Sequence, residues 1–218
     1  MPFIFTNREG GYSAPPFDSA NLGDHVGDDP ELVRRNRAQL ETQIGIPIQF
    51  MNQVHGDTVV LVEEHVSAPT CDALITTSKQ LALAVMVADC IPLLLKSEIA
   101  IAAVHVGRRG LMNQIARKTI TAMRDIGAEM IHSYIGPNIC GNCYEVSPEI
   151  FNEVITKYPN ADSSKRSGKL TLDLVAGLKE DLKDTVMLDL SSCVLEDSHT
   201  FSYRRDGITG RQAGVIWR

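Results

Sequence analysis

The sequence has no hydrophobic run long enough to cross a membrane. A membrane-spanning helix needs about 18 or more uninterrupted apolar residues, and the most apolar stretch, 81–95, is interrupted by Asp89, Cys90 and Pro92. The N-terminus also lacks the basic region and apolar core of a secretory signal peptide. We therefore expect a cytoplasmic protein that does not contact a membrane.

Positive charge is scarce as well. The chain has 21 Lys and Arg residues against 27 Asp and Glu residues, a formal net charge of -6. Nucleic-acid binding depends on clustered Lys and Arg side chains that neutralise phosphates. The composition therefore argues against a nucleic-acid partner, although it leaves room for a local basic pocket.

Cysteine is limited to five residues, an odd number, and no secretory signal accompanies them. Reduced thiols are expected in that setting, rather than a disulfide framework. Cys140 and Cys143 form a Cys-x-x-Cys pair, a spacing found in redox sites and in half of a zinc site. Because no second Cys-x-x-Cys and no thioredoxin-like helix start exists, we interpret the pair as an incidental loop feature.

The pattern of apolar residues predicts an α/β fold. A chain of 218 residues with 44% hydrophobic content can bury a large core, and without internal repeats we predict one domain over residues 1–218. Helices are predicted to start after Asp29, Ser147 and Asp173, and one long helix follows Gly110 and ends near Gly127. Strands are predicted at 59–62, 81–87, 91–95, 99–104, 133–135, 186–190 and 213–217. Several strands are apolar on both faces, which predicts mixed sheets covered by helices.

Three residues at the mouths of predicted strands are candidate metal ligands: His55, Cys90 and His105. Two imidazoles and a thiolate can hold zinc and leave its fourth position open, as a catalytic site requires. Their separations do not match a compact zinc finger, and an alternative is that the histidines are ordinary strand-end residues and the cysteine a small core residue. Asp89, beside Cys90, is a candidate acid or base, or alternatively a turn residue that caps a backbone amide.

A series of short motifs runs in order through nearly the whole chain. It comprises SANLGDHVGD at 19–28, NR at 36–37, NQVHGDT at 52–58, ADCIP at 88–92, AVHVGRRGL at 103–111, IGPNI at 135–139, CYEV at 143–146, FSYRRDG at 201–207 and TGR at 209–211. In this series the chain resembles the laccase-domain family, also known as YfiH-type purine nucleoside phosphorylases, which includes the peptidoglycan editing factor. The resemblance implies a sandwich of mixed β-sheets flanked by α-helices and a zinc triad at His55, Cys90 and His105.

The resemblance also implies a function and its substrates. The expected reactions are phosphorolysis of adenosine, inosine and methylthioadenosine and deamination of adenosine, so the expected partners are a purine nucleoside and phosphate. Arg109, Arg204 and Arg205 are candidate anion-binding residues, with Arg109 assigned to catalysis, or alternatively surface arginines. Asn52 and Gln53 carry amides that can read a purine edge or only satisfy loop backbone.

The sequence departs from the family pattern and leaves different reactions open. Arg108 occupies a position where the family usually has Trp, which puts substrate contacts in doubt more than metal binding. A copper-dependent phenol oxidase with four coppers would need roughly eight or more histidines, and the chain has six, although a His/Cys site also binds copper. A cysteine hydrolase with Cys90 as nucleophile and an amidase acting on a peptidoglycan precursor are also compatible with these residues. The oligomeric state is not predicted.

Overall fold

Two mixed β-sheets form the centre of the computed structural model, which describes residues 3–218. The smaller sheet has the strand order β1 (Phe3–Phe5), β10 (Gln212–Ile216), β5 (Ala82–Val87) and β2 (Ile48–Gln49). The larger sheet has the order β3 (Val59–Leu61), β4 (Ala73–Thr76), β7 (Ile101–Val106), β6 (Ile91–Lys96), β8 (His132–Ile135) and β9 (Val186–Asp189). Each sheet contains both parallel and antiparallel pairs.

Side chains cap the first turns of several of the helices. The helices are α1 (Pro30–Ile44), α2 (Arg108–Met112), α3 (Ile115–Asp125), α4 (Pro148–Lys157), α5 (Ser164–Ser167), α6 (Leu174–Asp181) and α7 (Tyr203–Asp206). The side chains of Asp29, Ser147 and Asp173 accept hydrogen bonds from the first turns of α1, α4 and α6. These three predicted helix starts are confirmed.

Three apolar clusters arrange the sheets and helices in four layers. One cluster lies between the two sheets and includes Leu74, Leu83 and Leu94. A second joins the outer face of the larger sheet to α3, α4 and α6, and a third joins the smaller sheet to α1 through Leu40. Because the central strands β5, β6 and β7 are covered on both faces, they are almost entirely buried and mainly apolar. The predicted sandwich of mixed sheets flanked by helices is confirmed.

The structure corrects two of the predicted elements. The single helix predicted after Gly110 is broken into α2 and α3 at Gln114, whose backbone is left-handed with φ 59°. The break redirects the chain so that Ile115, Ile120 and Met123 pack on the larger sheet. Helical periodicity does not detect the break, because it assumes a single helix axis for the whole segment. The strand predicted at 99–104 is shifted to Ile101–Val106, which places His105 inside the strand.

None of the helices described within residues 3–218 has the length and apolarity needed to cross a bilayer.

Candidate functional site

Strand pairing brings Cys90 and His105 together. The antiparallel pairing of β6 and β7 joins Ile91 to Val106 and Pro92 to His105. Cys90 immediately precedes β6, so it lies beside the end of β7. His105 is buried and Cys90 is half-buried.

A strained loop brings His55 to the same point. His55 has φ 57°, a left-handed conformation that non-glycine residues rarely adopt and that costs about 1–3 kcal/mol. The carboxylate of Asp72 accepts hydrogen bonds from the backbone N–H groups of Val54, His55 and Gly56 at 3.2, 3.0 and 2.7 Å. These three bonds hold the loop in the strained conformation.

Asp72 also contacts the second histidine. Its Oδ1 lies 2.8 Å from Nδ1 of His105, and the Asp72 side chain is fully buried. A carboxylate in this position fixes the ring so that Nε2 is the nitrogen that can bind a metal. Burial opposes ionisation of Asp72, but the hydrogen bonds from His105 and Gly56 lower the pKa of its carboxyl group.

The three donor atoms lie close enough to share one ion. One ligand atom each from His55, Cys90 and His105 lies within 4.8 Å of the other two, and Sγ of Cys90 is 3.9 Å from Nε2 of His55. A nitrogen and a sulfur on one tetrahedral zinc are separated by about 3.6 Å. Thiolate and imidazole donors also suit zinc and copper better than they suit calcium or magnesium. The residues therefore fit a mononuclear site with an open position.

The charge states of two donors also suit a metal. Burial alone raises the pKa of Cys90, but the positive charge of His105 and hydrogen bonds from both histidines lower it to about 6. Burial lowers the pKa of His105, whereas the Cys90 thiolate and Asp72 raise it to about 9. The pair is thus a thiolate beside an imidazolium, and a cation that displaces the imidazolium proton preserves the attraction.

A cavity of about 420 Å³ opens next to these donors. His55, Cys90 and His105 line it, together with polar and aromatic side chains from distant parts of the chain. These additional lining residues include His25, Gln53, Tyr144, Tyr203, Arg204 and Arg211. A concave site with convergent polar groups beside a candidate metal centre has the features of a small-molecule binding site.

Asp89 lies in the wall of this cavity with both carboxylate oxygens engaged. Ser202 Oγ donates to one oxygen at 2.5 Å and the backbone N–H of Arg204 donates to the other at 2.8 Å. Asp89 is 8% exposed and has φ 93°. The carboxylate thus ties the segment before β6 to the C-terminal segment that carries Arg204.

A second cavity of about 400 Å³ adjoins the same donors. It is lined by His55, Cys90 and Tyr144, and by Arg108 and Arg109 at the start of α2. Arg108 is paired with Glu153 at 3.1 Å. The metal donors are therefore flanked by one larger cavity and one cationic cavity.

The remaining predicted contacts are placed differently. Arg204 lines the larger cavity, stacks over Tyr144 at 5.0 Å and donates to Glu145 O. Gln53 also lines it, but both ends of its amide are hydrogen-bonded to the backbone of Met86, so Gln53 supports the wall. Asn52 is exposed and donates to Thr70 Oγ1.

Arg205, also predicted to bind an anion, is placed differently from Arg204. Its guanidinium donates to the carbonyls of Val194, Asp197 and Thr200 and pairs with Asp206 at 2.8 Å. It is absent from the lining of either cavity described above. The adjacent Arg204 and Arg205 look equivalent in sequence, but they lie on different sides of the short helix α7.

Several residues at the site were not predicted from the sequence. Asp72 precedes the buried strand β4, and a carboxylate directly before an apolar run was an available signal. Arg211 belongs to the TGR motif; burial lowers the pKa of its guanidinium, and the nearby Cys90 and Asp89 offset part of that shift. His25 and Tyr144 belong to the motifs SANLGDHVGD and CYEV. Neither periodicity nor spacing indicates that they reach the cavity, because only tertiary packing places them there.

The pair Cys140 and Cys143, interpreted from the sequence as an incidental loop feature, has two further potential metal ligands beside it. The structure brings Cys193 and Glu196 to them, and one ligand atom from each of the four residues lies within 4.8 Å of the others. The second pair is a Cys-x-x-Glu and not a second Cys-x-x-Cys, so a search for matching cysteine pairs does not find it.

Comparisons with known proteins agree with the geometry. The family model described as multi-copper polyphenol oxidoreductase laccase matches residues 2–218. A purine nucleoside phosphorylase of Corynebacterium glutamicum is 43% identical over 228 residues, covering 98% of this chain and 93% of that protein. The purine nucleoside phosphorylase YfiH of Shigella flexneri is 33% identical over 223 residues, covering 97% of this chain and 91% of its own.

Solved structures show the same fold. A Neisseria meningitidis protein of the family DUF152 superposes with a TM-score of 0.89 at 38% identity, covering 99% of this chain and 93% of that one. YlmD of Geobacillus stearothermophilus gives a TM-score of 0.88 at 28% identity, covering 100% of this chain and 92% of its own. The resemblance inferred from the motifs is confirmed.

Proposed function

This chain belongs to the multi-copper polyphenol oxidoreductase laccase family, and within that family we propose that it is a zinc-dependent purine nucleoside phosphorylase. The observation that carries the proposal is the convergence of His55, Cys90 and His105 between a cavity of about 420 Å³ and a cationic one. The names of the relatives at 33–43% identity supply the reaction class.

The two cavities suit the two reactants. The larger cavity has the aromatic rings of Tyr144 and Tyr203, and stacking on an aromatic ring is a sequence-tolerant way to bind a base, worth about 1–3 kcal/mol per base. The cationic cavity has Arg108 and Arg109, and a guanidinium is a preferred partner of phosphate. We therefore place the nucleoside in the larger cavity and inorganic phosphate in the cationic one.

The reaction needs an oriented phosphate and a base that can leave. A phosphate oxygen forms a bond to the ribose C1′ while the C1′–N9 bond breaks, and the electron pair of that bond remains on the purine, which takes up a proton. A zinc ion held by His55, Cys90 and His105 would supply positive charge for an oxygen that carries negative charge. Arg109 holds the phosphate, which lowers the entropic cost of bringing the two reactants together.

Asp89 acts mainly through position in this proposal. Because both of its oxygens accept hydrogen bonds, from Ser202 and from the Arg204 backbone, it fixes the wall that carries the Arg204 side chain. A role as acid or base at the reacting atoms stays a prediction. Ser202→Ala tests this, because it frees one Asp89 oxygen: a changed pH profile indicates proton transfer, and a raised KM at unchanged pH profile indicates positioning.

We include adenosine, inosine and methylthioadenosine as substrates and adenosine deamination as a second activity. In deamination a water oxygen bonds to C6 and the amino group leaves as ammonia. The support is the family resemblance together with a cavity large enough for a nucleoside. Inosine formed from adenosine in the absence of phosphate is the expected product.

The experiment is a product analysis with the metal-loaded protein. Inosine is incubated with and without phosphate, and hypoxanthine and ribose 1-phosphate are measured for the wild type, His55→Ala and His65→Ala. We expect both products only with phosphate, a loss of at least 100-fold in His55→Ala and no loss in the control, since His65 is exposed and outside the donor cluster. No consumption of inosine, or of adenosine and methylthioadenosine incubated in the same way, overturns the proposal, as does equal base release without phosphate.

A second candidate is a cysteine hydrolase, which the lowered pKa of Cys90 beside His105 favours. A thiolate with an adjacent imidazole is the arrangement of a cysteine nucleophile. Hydrolysis of an ester or amide by metal-free protein, abolished by alkylation and insensitive to chelators, would support it. Metal counting in the same preparation also separates zinc from the copper that the family's description names.

A further inference from the structure

A second cluster of metal-binding side chains lies at the loops that follow β8 and β9. It contains Cys140, Cys143, Cys193 and Glu196, with one ligand atom from each within 4.8 Å of the others. The strands β8 and β9 are parallel neighbours in the larger sheet. Their following loops therefore emerge at the same edge, although about 50 residues of sequence separate the two pairs.

The two loops have the same backbone hydrogen-bond pattern. The N–H groups of Cys143 and Tyr144 donate to Cys140 O at 3.0 and 3.1 Å, and those of Glu196 and Asp197 donate to Cys193 O at 3.3 and 3.1 Å. Each turn thus presents its first and fourth residue on one side. Two such turns facing each other are the usual way to assemble four ligands around a structural zinc.

Backbone contacts join the two turns. Asn138 N–H donates to Ser192 O at 3.0 Å and Val194 N–H donates to Asn138 O at 3.1 Å. The N–H of Cys140 points at Sγ of Cys193 at 3.5 Å, and Sγ of Cys143 lies 3.3 Å from Oε1 of Glu196. A peptide N–H directed at sulfur stabilises a thiolate, which is the form that binds metal.

We propose that Cys140, Cys143, Cys193 and Glu196 form a closed structural site for a zinc-class divalent cation, distinct from the His55, Cys90 and His105 centre. Three thiolates and one carboxylate complete a four-coordinate shell and leave no position for a reactant. Thiolate ligands disfavour calcium and magnesium, which prefer oxygen ligands. Binding releases the thiol protons, so the affinity falls at low pH.

The site would support the wall of the larger cavity. Tyr144 follows Cys143 directly and packs under Arg204. The carbonyls of Val194 and Asp197, in the second turn, hold the guanidinium of Arg205 at 2.9 and 3.0 Å. Ile139 N–H donates to Asp89 O at 2.9 Å. A cation that joins the two turns thus stabilises Tyr144, which contacts Arg204, and the carbonyls that hold Arg205.

The first test counts zinc in the full-length protein after zinc loading and gel filtration. We expect two zinc ions per chain in the wild type, one in Cys90→Ala, one in Cys193→Ser and two in Cys71→Ser, which changes a buried cysteine outside both clusters. Cobalt(II) added to metal-depleted Cys90→Ala should give thiolate-to-metal charge-transfer bands, because only the second cluster then offers thiolates. A Cys90→Ala protein that binds no zinc or cobalt overturns the proposal.

A milder variant covers the case in which Cys193→Ser does not fold. Glu196 is exposed, so Glu196→Gln should keep the fold while weakening zinc binding at the second site by about 10-fold or more. Unchanged zinc affinity in this variant contradicts the four-ligand set. The protein can also be reduced and then mixed with zinc. A disulfide among the three cysteines that is still detected by mass and alkylation then contradicts the four-ligand set as well.

The effect on activity rests on the proposed function, whereas zinc binding at the second site, counted in Cys90→Ala, does not. In Glu196→Gln depleted of the second zinc, we expect KM for the nucleoside to rise with kcat less changed, because Arg204 and Tyr144 lose their support. If zinc counts follow the expectation but no nucleoside reacts with any variant, the site stands and the proposed function fails.

Discussion

At the scale of single residues, Asp72 organises both histidines. Its carboxylate accepts the backbone amides of Val54, His55 and Gly56 and contacts Nδ1 of His105. It therefore holds a strained loop and orients a ring at the same time. Outer carboxylates of this kind are typically worth 10–100-fold in metal affinity or activity.

Asp72→Asn should lower zinc affinity at the His55, Cys90 and His105 site by about 10–100-fold. The amide preserves the shape but loses the negative charge that His105 contacts. A competition titration with a chromophoric chelator measures the affinity, and Glu63→Gln, at an exposed carboxylate, is the matched control. Equal affinity in both variants would show that Asp72 does not orient the ligand.

Position 107 has little room for a side chain, because two of the metal donors lie against Gly107. A Cβ at this position would lie 3.0 Å from Sγ of Cys90 and 3.1 Å from Cδ2 of His55. Its φ of -83° suits any residue, so the restriction comes from these contacts and not from the backbone. Ligands fixed on a metal cannot move aside, whereas metal-free ligands can.

Gly107→Ala should therefore reduce zinc affinity while leaving the melting temperature of the metal-free protein within about 3 °C of the wild type. Parallel zinc titrations and thermal melts of metal-free protein measure the two quantities. A large loss of stability without metal, or zinc binding as tight as in the wild type, would refute the steric argument.

The candidate ligands themselves were predictable because His, Cys and His stand at strand ends in recognisable motifs. Asp72 was not predicted, because its place before an apolar run is only a weak signal and its hydrogen-bond partners lie 16–18 and 33 residues away in the sequence. The neighbouring arginines 204 and 205 show the limit most clearly. Their side chains were predicted to share a role. Only the tertiary structure shows that Arg204 lines the cavity whereas Arg205 binds backbone carbonyls.

At the scale of elements, the apolar pattern predicted the long strands and three helix starts. It missed the strands β1, β2 and β4 because segments of three, two and four residues give too little periodicity. It also missed the break at Gln114, where a left-handed residue separates two helices of similar composition. Capping residues and buried strands are local signals, whereas a break imposed by packing is not.

The contact between α3 and α6 depends on a buried charge. Arg117 Nε donates to Asp181 Oδ1 at 2.6 Å, and the hydroxyl of Tyr158 lies 3.1 Å from Asp181 Oδ2. The Asp181 side chain is fully buried whereas that of Arg117 is 47% exposed. Burial raises the pKa of Asp181, and Arg117 and Tyr158 offset part of that shift.

Arg117→Ala should lower the free energy of unfolding by about 1–3 kcal/mol at neutral pH, because it leaves a buried carboxylate without its cation. Without Arg117 the folded-state pKa of Asp181 rises further above its unfolded value. The ionised form then destabilises the fold, so the deficit is largest above the folded-state pKa and shrinks as pH falls toward the unfolded value of about 4.

Urea denaturation at several pH values measures this deficit. Arg124→Ala, on the same helix and exposed, should stay within about 0.5 kcal/mol of the wild type. A deficit of Arg117→Ala that is independent of pH, or one that grows on acidification, would contradict the role given to Asp181.

At the scale of the whole molecule, the site is assembled from both sheets. His105 lies in β7 of the larger sheet and Cys90 directly precedes β6 of that sheet. Gln53 and His55 follow β2 of the smaller sheet, and Arg204 and Arg211 come from the segment before β10. A ligand bound here therefore joins parts that are distant in sequence. The prediction of one domain over residues 1–218 is consistent with this assembly and stays a prediction.

Removal of metal should consequently lower the melting temperature of the entire protein. A site occupied at about 100 times its Kd adds about 2.7 kcal/mol to the folded state, which corresponds to about 5–10 °C for a chain of this size. Calorimetry with zinc and after chelation measures the shift, which should be smaller in His55→Ala. Identical melting temperatures with and without metal would contradict binding to the folded state.

The most direct measurement is phosphorolysis as a function of metal occupancy. Zinc is titrated into metal-depleted protein, and hypoxanthine release from inosine is followed at saturating phosphate. We predict negligible release from the depleted protein, a rise that follows occupancy of the His55, Cys90 and His105 site, and no rise in His105→Ala. Full activity in protein shown to contain no metal, or equal activity in His105→Ala, would contradict the proposed role of this site.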